Sequence, residues 1–275
     1  MIKNKRILIT GGAGSVGSEL VRQLSKHNKI LIIDIDETRM FDLVEELKLQ
    51  GNNIDGYVCD IRDFDELRVL TDFFGPNLIF NAAARKHVTP MERTPMEAVT
   101  TNITGTYNLI RLAKTLRAKL VSISTDKVVN SNCVMGATKK VAEIMVKNAG
   151  YVSVRFGNVL GSRGSVIPIW QKQIEKGWPL TVTDERMTRY FMTIEDACDL
   201  VITAAEEGKA GEIYVLDMGI AIKLIDLAKK IIAESKKQVG IKMIGMRPGE
   251  QLTESLMTEA EQAVAIKRGC FWIIK

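Results

Sequence analysis

The sequence predicts an α/β fold, a doubly wound parallel sheet that carries a second, smaller lobe. Three observations lead to it. Seven short apolar runs alternate with amphipathic segments, a spaced glycine triplet follows the first run, and the alternation breaks in two Gly- and Pro-bearing excursions late in the chain. Alternation of strand and helix calls for parallel strands with helices on both faces, because parallel neighbours need a right-handed crossover.

In chain order the runs are Ile7 to Ile9, Ile30 to Ile33, Tyr57 to Cys59, Leu78 to Phe80, Leu120 to Ser124, Tyr151 to Arg155 and Ile213 to Leu216. Between them, sets such as Val16, Leu20, Val21 and Leu24, or Met40, Leu43, Val44 and Leu47, repeat at helical spacing and give each helix one apolar face. After Asn158 the pattern fails: 161–188 is rich in Gly, Pro, Trp and Arg, and a second departure after Met218 leads to Arg247-Pro248-Gly249. The expected division is a dinucleotide-binding domain over 1–158, rejoined by 188–218, and a substrate-binding lobe from 159–187 and 219–275. Such a lobe belongs at the carboxyl edge of the sheet, where open α/β folds bind ligands.

Composition narrows the functional classes. The 275 residues are 46% hydrophobic and 26% charged, ordinary values for a globular chain with ample core. No apolar stretch reaches the roughly 18 residues of a membrane span, and the apolar run after the basic start, Ile7 to Ile9, is too short for a signal peptide. Cys59, Cys133, Cys198 and Cys270 are scattered, without metal or disulfide spacing, so no metal is expected and a reduced, cytoplasmic setting is. The net charge of +5 is interspersed with acids; the expectation is a small anionic ligand, with neither nucleic acid nor membrane as partner.

The first strand runs into Thr10-Gly11-Gly12-Ala13-Gly14-Ser15-Val16-Gly17. Gly11, Gly14 and Gly17 permit a tight turn, close approach of backbone to a pyrophosphate and close helix–strand packing, while Ser15 and Val16 open a helix whose N–H groups face the anion. Asp34 ends the second apolar run about 20 residues on, where an acid holds a ribose diol. This is a Rossmann-type fingerprint for a dinucleotide. Asp36 and Glu37 disfavour a 2′-phosphate, which favours NAD; Arg39 keeps NADP open. Asp60 and Ile61 after the third strand, and Ala82 and Ala83 after the fourth, are expected to line the same cofactor.

Ser124-Thr125-Asp126-Lys127 ends the fifth strand and Met135-Gly136-Ala137-Thr138-Lys139 opens the next helix. The four-residue step sets positions 135 and 139 on one helical face. The spacing resembles the Ser/Thr, Tyr-x-x-x-Lys site of extended short-chain dehydrogenases, with Met135 in the tyrosine's place. Further segments resemble one branch of that superfamily, the UDP-N-acetylglucosamine 4,6-dehydratases of polysaccharide biosynthesis: Asn81 to Val88, Arg155 to Pro168, Met187 to Thr193, and Arg247-Pro248-Gly249-Glu250. The likeness runs from about Arg6 to Leu256.

The resemblance implies oxidation at sugar carbon 4, loss of water across carbons 5 and 6, and return of the hydride to carbon 6, with no net redox change. It assigns Asp126 as acid and Lys127 as base, Thr125 to the carbon 4 hydroxyl and Lys139 to the nicotinamide ribose; Met135 offers no proton chemistry. For the UDP-sugar's diphosphate, which arginine suits, the candidates are Arg189 and Arg247, then Lys86 and Arg163, with Asn158 on the sugar or first phosphate. Glu250 is expected to position Arg247, and His87 to orient the loop bearing Lys86. A homo-oligomer is expected through the helices of 95–114 and 136–148. An epimerase or reductase of the same fold, or a non-catalytic NAD(P) sensor, is the competing reading.

Overall fold

The computed structural model describes residues 2–275. Its first half is a strict alternation: β1 (Arg6–Thr10), α1 (Ser15–Ser25), β2 (Lys29–Asp34), α2 (Glu37–Leu49), β3 (Ile54–Val58), α3 (Phe64–Asp72), β4 (Leu78–Asn81), α4 (Val88–Arg93), α5 (Pro95–Ala98), α6 (Thr106–Leu116), β5 (Lys119–Ile123), α7 (Val134–Asn148) and β6 (Val152–Arg155). Residues Val99–Gly105 form a π-helical stretch between α5 and α6. The second half adds β7 (Asn158–Val159), α8 (Val166–Glu175), β8 (Leu180–Val182), β9 (Thr188–Arg189), β10 (Phe191–Met192), α9 (Ile194–Glu207), β11 (Ile213–Leu216), β12 (Ile222–Lys223), α10 (Leu224–Ser235), β13 (Ile241–Met243), α11 (Glu259–Val264), β14 (Ile266–Arg268) and β15 (Phe271–Ile274).

All seven anticipated strands lie in one sheet of order β14-β15-β11-β6-β5-β4-β1-β2-β3. The run at Tyr57 to Cys59 is displaced: β3 is Ile54–Val58, because its first half, Ile54-Asp55-Gly56, alternates as an edge strand does and shows no continuous apolar run. Strand order reverses between β1 and β4, which opens a crevice beyond their carboxyl ends. Fully buried Ile7, Ile9, Ile32 and Phe80 from the strands meet Leu20 and Val21 of α1 and Leu200 and Val201 of α9. On the other face Leu8, Ile33 and Ile79 meet Leu109 and Leu112 of α6.

The carboxyl end departs from expectation. Residues 219–275 are expected in the lobe, yet β15 pairs antiparallel with β11 (Tyr214 opposite Ile273) and β14 pairs with β15, extending the main sheet. The apolar Phe271-Trp272-Ile273-Ile274 has an open sheet edge to cover, and both isoleucines are buried there. The lobe proper holds α8, β8, α10 and β13 around Trp170, Leu180, Val182 and Leu224, with the Trp170 indole donating to the Thr181 carbonyl at 2.8 Å. Among the described residues no helix is long and apolar enough to cross a membrane, and no His, Cys, Asp and Glu cluster could hold a metal.

Candidate active site

The crevice beside β1 is lined by Gly11, Ala13, Gly14, Asp34, Asp60, Ile61, Ala82, Ala83 and Arg163. Gly11 has φ of 66°, and a Cβ there would lie 2.6 Å from the Ala83 backbone nitrogen, so the turn closes only with glycine. Gly17 serves packing: its Cβ would stand 2.1 Å from the Gly11 carbonyl oxygen. Val16 packs on the core, whereas Ser15 accepts the Arg163 backbone N–H at 3.0 Å. Helix geometry leaves the first-turn N–H groups of α1 without intrahelical acceptors. Asp34 accepts the backbone N–H groups of Ala13 at 2.9 Å and Asp36 at 3.0 Å, bracing the glycine turn. Burial opposes the charge of Asp60, but hydrogen bonds from the Arg62 side chain and backbone outweigh it and hold the carboxyl below its usual range. A glycine cradle, a helix terminus and an acid at the end of β2 fit a dinucleotide.

At the end of β5 the chain stays locked to β6, through Ser124 N–H to Val154 O at 2.7 Å and Asp126 N–H to Phe156 O at 3.1 Å. A short 3₁₀ turn, Asp126–Val128, then places Asp126 and Lys127. The Asp126 side chain is fully buried; its Oδ1 accepts from Lys127 Nζ at 3.1 Å and from Thr125 Oγ1 at 2.9 Å, while Oδ2 has no donor. Lys127 also reaches Glu254 Oε1 at 2.9 Å, and Arg189 Nε meets the same oxygen at 3.2 Å. Burial acts against both charges of the first pair, but mutual attraction prevails: Asp126 is held below and Lys127 above the ordinary range. Glu254, buried and beside a second carboxyl, is raised despite Lys127 and Arg189.

These directions describe the resting charges of the expected acid and base. At rest Asp126 carries no proton to give as an acid, and Lys127 is an ammonium, not a free base. One residue the sequence does not mark is Glu254, which follows Glu250 by four residues with nothing to distinguish it from a solvated acid. Lys139 is buried, its Nζ donating to Ile123 O at 2.5 Å; burial lowers it to about 8. Met135 is buried among Met91, Ala98 and Cys133 and lines neither hollow.

Beyond Lys127 opens a cavity of about 690 Å³ between the sheet and the lobe, in the range of ligand sites. Lys86, Arg93, Asn158, Arg189, Arg247, Glu250 and Glu254 line it. Among the described residues Lys86, Arg93 and Arg247 have no ion-pair partner. Arg93 was not anticipated; it closes the short α4. Lys86 lies below its ordinary range through burial and the nearby Arg163 and Lys127. Arg189 differs from expectation: its guanidinium is committed to the carbonyls of Thr188, Gln251 and Leu252 and to Glu254, so it builds the wall. Arg163 also differs, since its guanidinium donates to the Ala13 carbonyl on the dinucleotide side. Asn158 donates to Tyr190 O at 3.2 Å and Glu254 Oε2 at 3.4 Å. Glu250 accepts the Arg247 backbone N–H at 3.0 Å, fixing the turn that presents that side chain. The loop bearing Lys86 is pinned by Asn102, which accepts Arg85 N–H at 2.8 Å and donates to Arg85 O at 3.0 Å. His87 packs on Gly164, where a Cβ would lie 2.6 Å from its ring.

Fold and site together define a Rossmann-type protein with a dinucleotide crevice and a separate polar cavity. Solved structures agree in fold: Pen from Bacillus thuringiensis superposes with a TM-score of 0.94 at 36% identity, covering 99% of this chain and 89% of that one. A dTDP-glucose 4,6-dehydratase from Bacillus anthracis in complex with NAD superposes at 0.79 with 21% identity, covering 94% and 89%. The chain belongs to the polysaccharide biosynthesis protein family, whose profile matches residues 7–275. It is 45% identical to the capsular polysaccharide biosynthesis protein CapD of Staphylococcus aureus and 46% identical to the probable polysaccharide biosynthesis protein EpsC of Bacillus subtilis. Each match takes in 94% of this chain but 46% of the relative, so the chain spans about half their length.

Proposed function

We propose that this chain is a nucleotide-sugar 4,6-dehydratase, converting a UDP-N-acetylhexosamine, in the first instance UDP-N-acetylglucosamine, to its 4-keto-6-deoxy derivative with NAD as cofactor. The observation that carries the reading is Lys127, which lines the polar cavity with Asp126 at 3.1 Å and Glu254 at 2.9 Å. The capsular and polysaccharide relatives support the pathway class. An NAD complex of a like-folded dehydratase supports the cofactor, as does Arg39, which is turned to Asp36 at 2.9 Å. A 4-epimerase from Methanobrevibacter ruminantium has the same fold, but epimerisation at carbon 4 has no use for acid–base groups serving carbons 5 and 6.

When bound, NAD supplies a reversible hydride acceptor for carbon 4. Gly11, Asp34 and the α1 terminus would hold it, with Lys139 on its nicotinamide ribose. The protons are the protein's work. Asp126, ionised at rest, receives the O4 proton through Thr125, since Met135 offers no acceptor. With the carbon 4 ketone formed, Lys127 takes the carbon 5 proton as it passes its own to the Glu254 carboxylate, and Asp126 gives the proton it received to O6 as water leaves. A proton returned to carbon 5 restores the resting cluster. The sugar gives up protons at O4 and carbon 5 and regains them at O6 and carbon 5, so the account balances. Lys86, Arg93 and Arg247 face the diphosphate.

Incubation with UDP-N-acetylglucosamine and NAD⁺ in heavy water, followed by proton NMR, tests this. The expected product is a 4-keto-6-deoxy sugar with deuterium at carbon 5. Unchanged substrate in the presence of folded, NAD-binding protein overturns the reading, and a carbon 4 epimer replaces it.

A further inference from the structure

The amino edge of the sheet lies at the opposite end of the strands from Lys127. There Arg6 is in register with Lys29, Ile7 with Leu78, and Leu78 with Lys119, so the strand starts stand side by side. The preceding segment runs along 27–29, through Asn4 N–H to His27 O and Lys29 N–H to Lys5 O, both 2.9 Å. Lys3, Lys5, Arg6, Lys26, Lys29 and Lys119 are all exposed on this edge. Most of them rim a hollow of about 580 Å³ shared with Gly51 to Asn53. The acids near these cations are Asp55, paired to Lys48 at 3.1 Å, and Asp72 at the end of α3; Glu206, Glu207 and Glu212 lie farther along the edge, before β11.

Two apolar side chains stand beside these cations. Helices between parallel strands run back to the amino edge, so α2 delivers Leu49 there, 88% exposed, and α3 is followed by Phe73, 99% exposed. Phe73 is held in the patch, since Arg6 Nε donates at 2.7 Å to the carbonyl of Gly75, two residues on. Lysines at helix carboxyl ends complement the helix dipole, which accounts for Lys26 but for neither bare apolar side chain nor the strand-start cations.

We propose that this edge docks on an anionic phospholipid surface, with the lysines and Arg6 on headgroup phosphates and Phe73 and Leu49 inserted at the acyl boundary. Cations flanking exposed apolar tips are the chemistry of interfacial binding. A nucleic acid would match the charge, and Phe73 has a ring for stacking, but Leu49 has none. No spanning segment is needed, and the cavity beyond Lys127, at the far end of the strands, stays open to water-borne sugar nucleotide. The proposal is independent of the reaction assigned above.

Co-sedimentation of the full chain with phosphatidylcholine vesicles, with and without phosphatidylglycerol, tests it. Binding is expected only with the anionic lipid, and is lost when salt shortens the screening length to about 3 Å. Lys5→Glu with Lys29→Glu is expected to weaken partition at least about tenfold. Phe73→Ser with Leu49→Ser is expected to weaken it severalfold at unchanged charge. All four positions lie far from the cavity, so NAD binding reports that each variant is folded. Failure of the wild type to sediment at low salt overturns the proposal. So does equal binding by the charge-reversed variant, or tight binding of single-stranded RNA that is indifferent to Phe73 and Leu49.

Discussion

Glu254 Oε1 lies 2.9 Å from Lys127 Nζ and 3.2 Å from Arg189 Nε, so one buried carboxyl joins the turn after β5 to the wall of the substrate cavity. The contact unites residues 127 apart in sequence and makes one buried charge cluster where the chain order shows only scattered charges.

Glu254→Gln keeps the shape and removes the carboxylate that takes the Lys127 proton. A fall in kcat of about 10²-fold or more is expected, with KM near wild type and the fold retained. Deuterium incorporation at carbon 5 should fall in parallel. Unchanged kcat would assign Glu254 a purely structural role.

Arg247→Ala and Lys86→Ala should each raise KM for the nucleotide sugar about tenfold or more, since a charged hydrogen bond contributes about 1.5–3 kcal/mol, and leave kcat little changed. Arg189→Ala should instead lower the melting temperature, because three carbonyls and Glu254 lose their donor. Steady-state kinetics and thermal melts separate the two patterns.

Gly11→Ala places a Cβ against the Ala83 backbone at a residue whose φ is 66°. Strain of about 1–3 kcal/mol is expected, together with loss of NAD binding in a fluorescence titration, while binding of UDP to the cavity persists.

Acid should expose the buried network of Arg155, which donates to Glu143 at 2.6 Å and to Glu261 at 2.9 Å. Burial opposes the charge of Glu261, but Arg155 prevails and lowers it to about 2. With the folded value below the unfolded one, this stabilisation is complete above the ordinary carboxyl range and is lost as pH falls toward 2. Glu261→Gln should therefore cost about 3 kcal/mol near neutrality. The gap from wild type should close in denaturant melts taken toward pH 2, and a constant gap at all pH values would refute the ionic account.

Buried Lys139 carries the opposite dependence. Its folded value of about 8 lies below the ordinary lysine value, so the unfolded chain binds the extra proton and stability rises with pH from about 8 to the ordinary lysine range. Lys139→Met should remove that rise in thermal melts of the apo chain.

Much of this was legible in the chain itself. The apolar runs marked seven strands because buried parallel strands need uninterrupted hydrophobicity, and the glycine triplet with Asp34 marked the dinucleotide crevice because tight backbone approach is a local requirement. The ion pair of Asp126 and Lys127 was legible for the same reason, as neighbours at one strand end. Tertiary structure alone decided the rest. Phe271 to Ile274 joined the sheet because an open edge was there to cover, and Arg189 was drawn into the wall by carbonyls some 60 residues away in sequence. Glu254 met Lys127 and Asp126 only on folding, because the charges and burial that raise a carboxyl meet in space and leave no period or spacing in the sequence.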